Sequence, residues 1–86
     1  MYSLEIKDHV FKIFKKLKKD PKQMEAIEKK IKQILEDPFR FKPLRFPMQN
    51  LMAVHTIEPF VLIYEIIETR KTVIIRKYGH HDNVYK

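Results

Sequence analysis

The C-terminal residues gather side chains that can move protons or carry positive charge. After Gly79, the only glycine in the chain, the sequence reads His-His-Asp-Asn-Val-Tyr-Lys from His80 to Lys86. Imidazole exchanges protons near neutral pH, and phenol and ammonium groups can assist at a charged transition state. A small domain rarely concentrates such groups at the end of a strand for stability alone. This tail, residues 79–86, therefore predicts a functional site.

Two other interpretations of the tail stay open. His80, His81 and Asp82 could bind a metal ion, but adjacent ligands without a spaced partner are a weak pattern, so neither a metal nor a cofactor is expected. The two histidines could also be ordinary surface residues of a frayed terminus. A nucleotide site built on a glycine-rich loop is excluded, because one glycine cannot form such a loop.

The first half of the chain predicts a strand followed by a helical hairpin. Residues 2–7 alternate between apolar and polar types, as a half-buried strand does. Asp8 can cap a first amphipathic helix, and Asp20-Pro21 ends that helix and begins a second one, which stops at Glu36-Asp37-Pro38. The two helices must pack their shared apolar stripe on another element.

The second half predicts the sheet that receives this hairpin. Strands are expected at residues 51–57, 60–67 and 72–78, with a break at Glu58-Pro59 and an end at Gly79. The face that holds Phe60 and Tyr64 is predicted to meet the helices. Strand parity places Arg76 and Lys77 on opposite faces, so they are not expected to serve one site. The fold class is α+β, with the hairpin on one face of a twisted, mainly antiparallel sheet of about four strands.

Composition indicates one domain, residues 1–86, and a negatively charged partner. A chain of 86 residues hides only roughly two-thirds of its unfolded surface, so its site is expected to be shallow. Eighteen Lys and Arg against eleven Asp and Glu give a net charge of +7, which suits a polyanion or an acidic protein, or else serves only solubility. The short apolar runs, the lack of a signal-peptide pattern and the absence of cysteine predict a cytoplasmic protein with no membrane partner.

The order of elements and two motifs resemble the RelE/ParE superfamily of toxin–antitoxin toxins. The motifs are the strand Phe60-Val61-Leu62-Ile63-Tyr64 and the tail Gly-His-His-x-x-Val-Tyr, which is similar to the family's Gly-His-Arg-x-x-Val-Tyr. Asp37-Pro38, followed by Lys42-Pro43-Leu44, also looks like the family's connection from the second helix into the sheet. The resemblance covers nearly the whole chain.

This resemblance implies a metal-independent endoribonuclease. RelE-type members cleave messenger RNA in the ribosomal A site by attack of a ribose 2′-hydroxyl on phosphorus, and an antitoxin that wraps the toxin inhibits them. The reaction needs a proton acceptor, a proton donor for the leaving 5′ oxygen and cations that stabilise the phosphorane. His81 stands where the family usually has arginine, and Tyr85 matches its terminal tyrosine. The implied partners are messenger RNA, the ribosome and an acidic, RelB-like antitoxin.

The chain departs from the family pattern at one position. The family often has an arginine directly after the first aromatic residue of this strand, and this chain has Val61 there. Its role could pass to a nearby cation, for which the candidates are Arg45, Lys42, His55 and Lys77. The remaining candidates for RNA contacts are Arg40, Lys71, Arg76 and His80, with Lys42 again among them. Together with the tail, the sheet face away from the helices is expected to form a basic groove for RNA.

Two other functions compete with the nuclease. ParE-like members inhibit DNA gyrase and keep the fold without the RelE cleavage residues, and a plain nucleic-acid-binding module is also consistent with the charge. The valine at position 61 favours these rivals. His81, Tyr85 and the net charge of +7 favour the nuclease.

Overall fold

Two helices cover one face of a five-stranded sheet. In the computed structural model, which describes residues 1–45 and 50–85, the strands are β1 (Ser3–Ile6), β2 (Lys42–Pro43), β3 (Leu51–His55), β4 (Phe60–Ile67) and β5 (Thr72–His80). The helices are α1 (Asp8–Lys16), α2 (Pro21–Glu36) and the short α3 (His81–Val84). Three 3₁₀ turns lie at Leu17–Lys19, Pro38–Arg40 and Glu68–Arg70.

The strand order is β1-β5-β4-β3-β2, with β1 parallel to β5 and the other pairs antiparallel. This arrangement confirms the α+β class and the mainly antiparallel sheet. The sheet has five strands rather than about four, because the two-residue β2 pairs Lys42 with Ala53 at the edge. So short a strand, half of it proline, leaves no alternation for sequence analysis to detect.

Local sequence explains how the two long helices begin. At α2 the carboxylate of Asp20 accepts the N–H of Gln23 at 3.2 Å, and Pro21 occupies the first helical position, as predicted. At α1 the predicted cap is wrong. Lys7 is the capping residue, and Asp8 is already inside the helix. There the negative charge of Asp8 interacts favourably with the positive N-terminal end of the helix dipole.

The face of the sheet that holds Tyr64 packs against α1 and α2, as predicted. Tyr64 is fully buried and donates a hydrogen bond of 2.6 Å to the carbonyl of Pro38. The core on this side comprises Val10, Phe14, Ile27, Ile34, Met52, Val54, Leu62, Tyr64, Val73, Ile75 and Tyr78. The opposite face, called here the tail face, carries a second apolar cluster formed by Ala53, Val61, Ile63 and, from α3, Val84.

A β-bulge in β5 overturns the predicted strand parity. Ile63 pairs with Lys77 while Tyr64 pairs with Ile75, so β5 holds one extra residue, Arg76, between these pairs. A bulge sets two neighbouring residues opposite one residue of the partner strand. Arg76 and Lys77 consequently lie on the same face of the sheet, beside Ile63.

The end of β5 also differs from prediction. Gly79 does not end the strand, because it pairs with Val61 and His80 pairs with Phe60. The strand at residues 51–57 is shorter than expected and ends at His55. Within residues 1–45 and 50–85, no helix combines the length and the apolar character needed to cross a bilayer.

Candidate functional site

The tail, described through Tyr85, folds back as a helical turn against the sheet. The N–H of His81 donates to the carbonyl of Pro59 at 3.0 Å, and the N–H of Asp82 donates to Nδ1 of His80 at 3.1 Å. Val84 is only 5% exposed. These contacts hold α3 on the tail face, and they argue against the frayed terminus considered from sequence.

Gly79 gives Val84 the room it needs. A Cβ atom at position 79 would lie 3.3 Å from Cγ2 of Val84, which is tighter than ordinary van der Waals contact. The glycine therefore relieves crowding where α3 approaches β5, and its backbone angle is an ordinary one.

His81 and Tyr85, the two residues that the resemblance singled out, reach solvent from α3. The His81 side chain is 45% exposed, and its Nδ1 lies 3.0 Å from Oδ1 of Asp82. Tyr85 follows the last residue of the helix and is 42% exposed. A carboxylate beside one imidazole nitrogen fixes the orientation of the ring and leaves the other nitrogen for a substrate.

Two rows of paired residues cross the tail face beside α3. One row runs from His55 through Val61 to Gly79. Because neighbouring strands are about 4.8 Å apart, the backbone of His55 lies about 10 Å from that of Gly79. Gly79 itself lies directly beneath Val84. His55 is therefore the cross-strand neighbour of the position where the family often carries arginine.

The second row joins two lysines across an apolar floor. It runs from Lys42 through Ala53 and Ile63 to Lys77. Nζ of Lys77 lies 3.5 Å from the carbonyl oxygen of Val84, so the ammonium group approaches the C-terminal end of α3. Like charges at the two ends of the row are separated by two strands, which limits their repulsion.

Lys77 also lines a shallow pocket beside the tail. The pocket has a volume of about 290 Å³ and is bounded by His9, Lys77, Tyr78, Gly79, His80, Asn83 and Val84. His9 was missed by sequence analysis, because an exposed histidine in an amphipathic helix carries no signal of its own. Only the return of the tail toward α1 places it near Lys77.

The structure brings Arg76 to the tail face but leaves it paired. Its guanidinium forms an ion pair of 3.0 Å with Glu65. Both side chains are partly exposed, so the pair contributes little to stability. Its chief effect is to neutralise one of the two basic residues that the bulge aligns.

Three other candidates lie away from the tail. Arg45 follows Leu44, whose N–H donates to the carbonyl of Leu51, the first residue of β3. Arg45 therefore lies near the start of β3, whereas His55 is at its other end. Arg40 stacks over Phe41, which packs with the helix-side core. Lys71 precedes β5, pairs with Glu68 at 3.3 Å and stands over the ring of Tyr2.

A second, apolar pocket of about 310 Å³ lies between α1 and α2. Its lining includes Phe11, which is 52% exposed, together with Met24 and Ile31. Lys15, Lys18 and Glu28 stand at its border, which is therefore net basic. An apolar floor with such a border suits an apolar segment that also carries acidic residues.

Sequence comparison identifies a family. Residues 1–85 match the family described as ParE toxin of type II toxin-antitoxin system, parDE. A Methanocaldococcus jannaschii protein, whose name marks it as a candidate toxin, RelE4, is 42% identical over 87 residues that cover 100% of this chain and 93% of the relative. A Methanosarcina mazei protein described as uncharacterised is 43% identical over 86 residues, covering 99% of this chain and 100% of the relative.

Solved structures share the fold. The isolated Escherichia coli RelE toxin has a TM-score of 0.77 and 24% identity, over 93% of this chain and 84% of that chain. The YoeB/ParE toxin from Agrobacterium tumefaciens has a TM-score of 0.82 and 14% identity, over 92% and 98%. At these identities the likeness concerns the fold alone, and it confirms the helical hairpin on the sheet.

Proposed function

The chain belongs to the ParE toxin family within the RelE/ParE superfamily of toxin–antitoxin toxins, and from this membership we propose that it is an endoribonuclease acting on messenger RNA in the ribosomal A site. The observation that supports this activity best is the contact of Lys77 with α3, the short helix that carries His81, at the end of the tail face. A toxin that acts on the ribosome works in the cytoplasm.

The proposed reaction is attack of a ribose 2′ oxygen on the adjacent phosphorus. The 2′-hydroxyl proton passes to a base, the new P–O2′ bond forms, and the bond to the 5′ oxygen breaks as that oxygen takes up a proton. The products are a 2′,3′-cyclic phosphate and a 5′-hydroxyl. We assign proton transfer to His81, which the carboxylate of Asp82 orients, and a supporting position at the scissile phosphate to Tyr85.

Cations must offset the charge that develops on the phosphorane. Lys77 and His55 are the best placed to take over from the arginine that is absent at position 61, since both lie on the tail face beside Val61. Each of these tasks lies within the chemistry of side chains, so the proposal assigns no metal and no cofactor to the reaction.

Other basic residues are assigned to RNA phosphates. Lys42 and Arg76 lie on the tail face, and His80 lies at the end of β5, where α3 begins. Arg40, Arg45 and Lys71 lie farther away, where they could contact messenger or ribosomal RNA without touching the scissile bond. Such contacts increase affinity and make it dependent on salt, but they do not read sequence.

The proposed protein partner is an acidic antitoxin. A surface with a net charge of +7 calls for a negatively charged inhibitor. The apolar pocket between α1 and α2, with Lys15 and Lys18 at its border, fits an amphipathic helix that carries acidic residues beside its apolar stripe. Structures of related toxins bound to their antitoxins support this kind of partner.

Primer extension in a translation reaction tests the nuclease. The wild-type protein should produce cuts at fixed positions within codons, and His81→Ala should reduce them about 100-fold or more. Lys29→Ala, an exposed change on α2, serves as the control and should cut like the wild type. A wild-type protein that produces no such cuts excludes the enzyme. Normal cutting by both His81→Ala and Tyr85→Phe would retain the enzyme and reject this site.

The alternative is a ParE-like inhibitor of DNA gyrase. The observation in its favour is the apolar floor at Val61, together with a family description that names ParE. A supercoiling assay with purified gyrase distinguishes the two functions, because only the inhibitor should block supercoiling at stoichiometric concentration.

A further inference from the structure

The side chains at the junction of β5 and α3 form a compact set of metal-binding groups. His80, His81 and Asp82 each present one ligand atom, and these atoms all lie within 4.8 Å of one another. The two imidazole rings have centroids 4.9 Å apart. We propose that this cluster binds a divalent transition-metal ion, with zinc as the reference ion.

Distances within the cluster agree with those of a zinc site. Zinc holds nitrogen and oxygen ligands at about 2.0–2.1 Å in a tetrahedron, so the ligand atoms lie about 3.3 Å apart. Oδ1 of Asp82 lies 3.0 Å from Nδ1 of His81, and Oδ2 lies 3.6 Å from Nδ1 of His80. Because Nδ1 of His80 accepts the N–H of Asp82, this ring would bind the ion through Nε2 or exchange that hydrogen bond for the metal.

The backbone at this junction is held in place, which favours binding. The N–H of His81 donates to the carbonyl of Pro59 on the neighbouring turn, and the N–H of Asp82 donates to Nδ1 of His80, which leaves Nε2 of that ring available. All three side chains are between 39% and 69% exposed, so an ion can reach them from solvent. With three ligands, a tetrahedral ion keeps one position open for water or for another ligand.

Ligand chemistry selects the kind of ion. Two imidazoles and one carboxylate suit zinc, nickel or copper, whereas magnesium prefers oxygen ligands in an octahedron. Because His81 is also assigned to proton transfer, a bound ion would occupy the imidazole that the nuclease needs. This consequence, inhibition of cleavage by zinc, rests on the proposed function. Metal binding itself does not.

Calorimetric titration of the untagged protein with zinc chloride tests the site. One ion should bind per chain, His80→Ala and Asp82→Asn should each weaken binding about tenfold or more, and magnesium chloride should give no binding heat. His9→Ala, which removes a histidine outside the cluster, should bind like the wild type. Circular dichroism spectra establish that each variant is folded.

Two results would overturn the proposal. One is a wild-type protein that does not bind zinc, and the other is equal binding by wild type, His80→Ala and Asp82→Asn. Addition of zinc to the translation reaction is read separately. If zinc binds and the wild type never cuts, the metal site is supported and the nuclease is excluded. If the wild type cuts and zinc does not bind, the nuclease is supported and the metal site is excluded.

Discussion

The hydroxyl of Tyr78 donates a hydrogen bond of 2.6 Å to the side-chain oxygen of Gln23, and so joins the end of β5 to the first turn of α2. Both residues are buried, and the ring of Tyr78 stacks on Phe60 with centroids 5.8 Å apart. Tyr78 immediately precedes Gly79. The strand end that carries the tail is thus fixed from the helix side of the sheet.

Removal of this hydroxyl should destabilise the fold. Tyr78→Phe is expected to lower the free energy of unfolding by about 1–2 kcal/mol, because the buried oxygen of Gln23 loses its donor. Urea denaturation measures the change. The exposed Tyr85→Phe is the control and should stay within about 0.5 kcal/mol of the wild type. Equal losses in the two variants would contradict the buried bond.

Stability should fall in alkaline solution because of Tyr64. Burial, and to a lesser extent the charge of Asp37, raise the pKa of Tyr64 above its ordinary value. Above about pH 10 the unfolded tyrosine loses its proton while the folded one keeps it, so the folded state binds more protons. The contribution is fully present below that pH and declines as the pH rises. Urea unfolding between about pH 8 and pH 11 should show a smaller decline for Tyr64→Phe than for the wild type.

Lys77 should matter for cleavage more than for folding. Lys77→Met keeps the apolar stem of the side chain and removes the ammonium group near Val84. If this group stabilises the phosphorane, the cleavage rate should fall about 100-fold, with recovery of part of the rate in Lys77→Arg. Lys29→Met makes the same substitution on an exposed face of α2. Similar rates for the two methionine variants would remove Lys77 from the site.

The contact between Gly79 and Val84 can be tested by a double-mutant cycle. Gly79→Ala adds a carbon 3.3 Å from Val84 Cγ2 and should cost about 1 kcal/mol of stability by overpacking, with slower cleavage as α3 shifts. In the Val84→Ala background the same substitution should cost less, because the crowded methyl group is gone. Additive losses would mean that the two positions do not touch.

Phe11 should contribute to antitoxin binding. Phe11→Glu places a negative charge at the mouth of the apolar pocket between α1 and α2, and the affinity for the cognate antitoxin should fall about tenfold or more. Phe39→Glu is a matched control, since Phe39 is 58% exposed and does not line that pocket. Calorimetry measures both affinities. An antitoxin that binds Phe11→Glu and Phe39→Glu with the same affinity as the wild type does not use this pocket.

The elements predicted from sequence were those whose pattern repeats over many residues. The apolar stripes of α1 and α2 extend over two or more helical turns, and the apolar run of β4 extends over eight residues. One residue that departs from such a pattern does not obscure it. The tail motif made His81 and Tyr85 candidates because it resembles a family ending, and their role stays a prediction. These features depend on local sequence and could be recognised without the fold.

The features that sequence analysis missed depend on single residues and on distant contacts. The edge strand β2 is two residues long, and the position of His9 near Lys77 arises only when α3 returns toward α1. The bulge at Arg76 leaves the residue types around it unchanged, so parity counted along the strand is inverted from Lys77 onward. The distribution of basic residues between the two faces could not be predicted for this reason.

Arg76 therefore has a consequence for comparing this strand with those of its relatives. The bulge acts as a one-residue insertion, and an alignment without a gap at this point would match inward positions of one chain to outward positions of another from Lys77 onward. The same reasoning applies to design. Deleting this one residue would leave Ile75 opposite Tyr64 and Lys77 opposite Ile63, so the strand would alternate regularly with Lys77 and every later position on the faces that they occupy now.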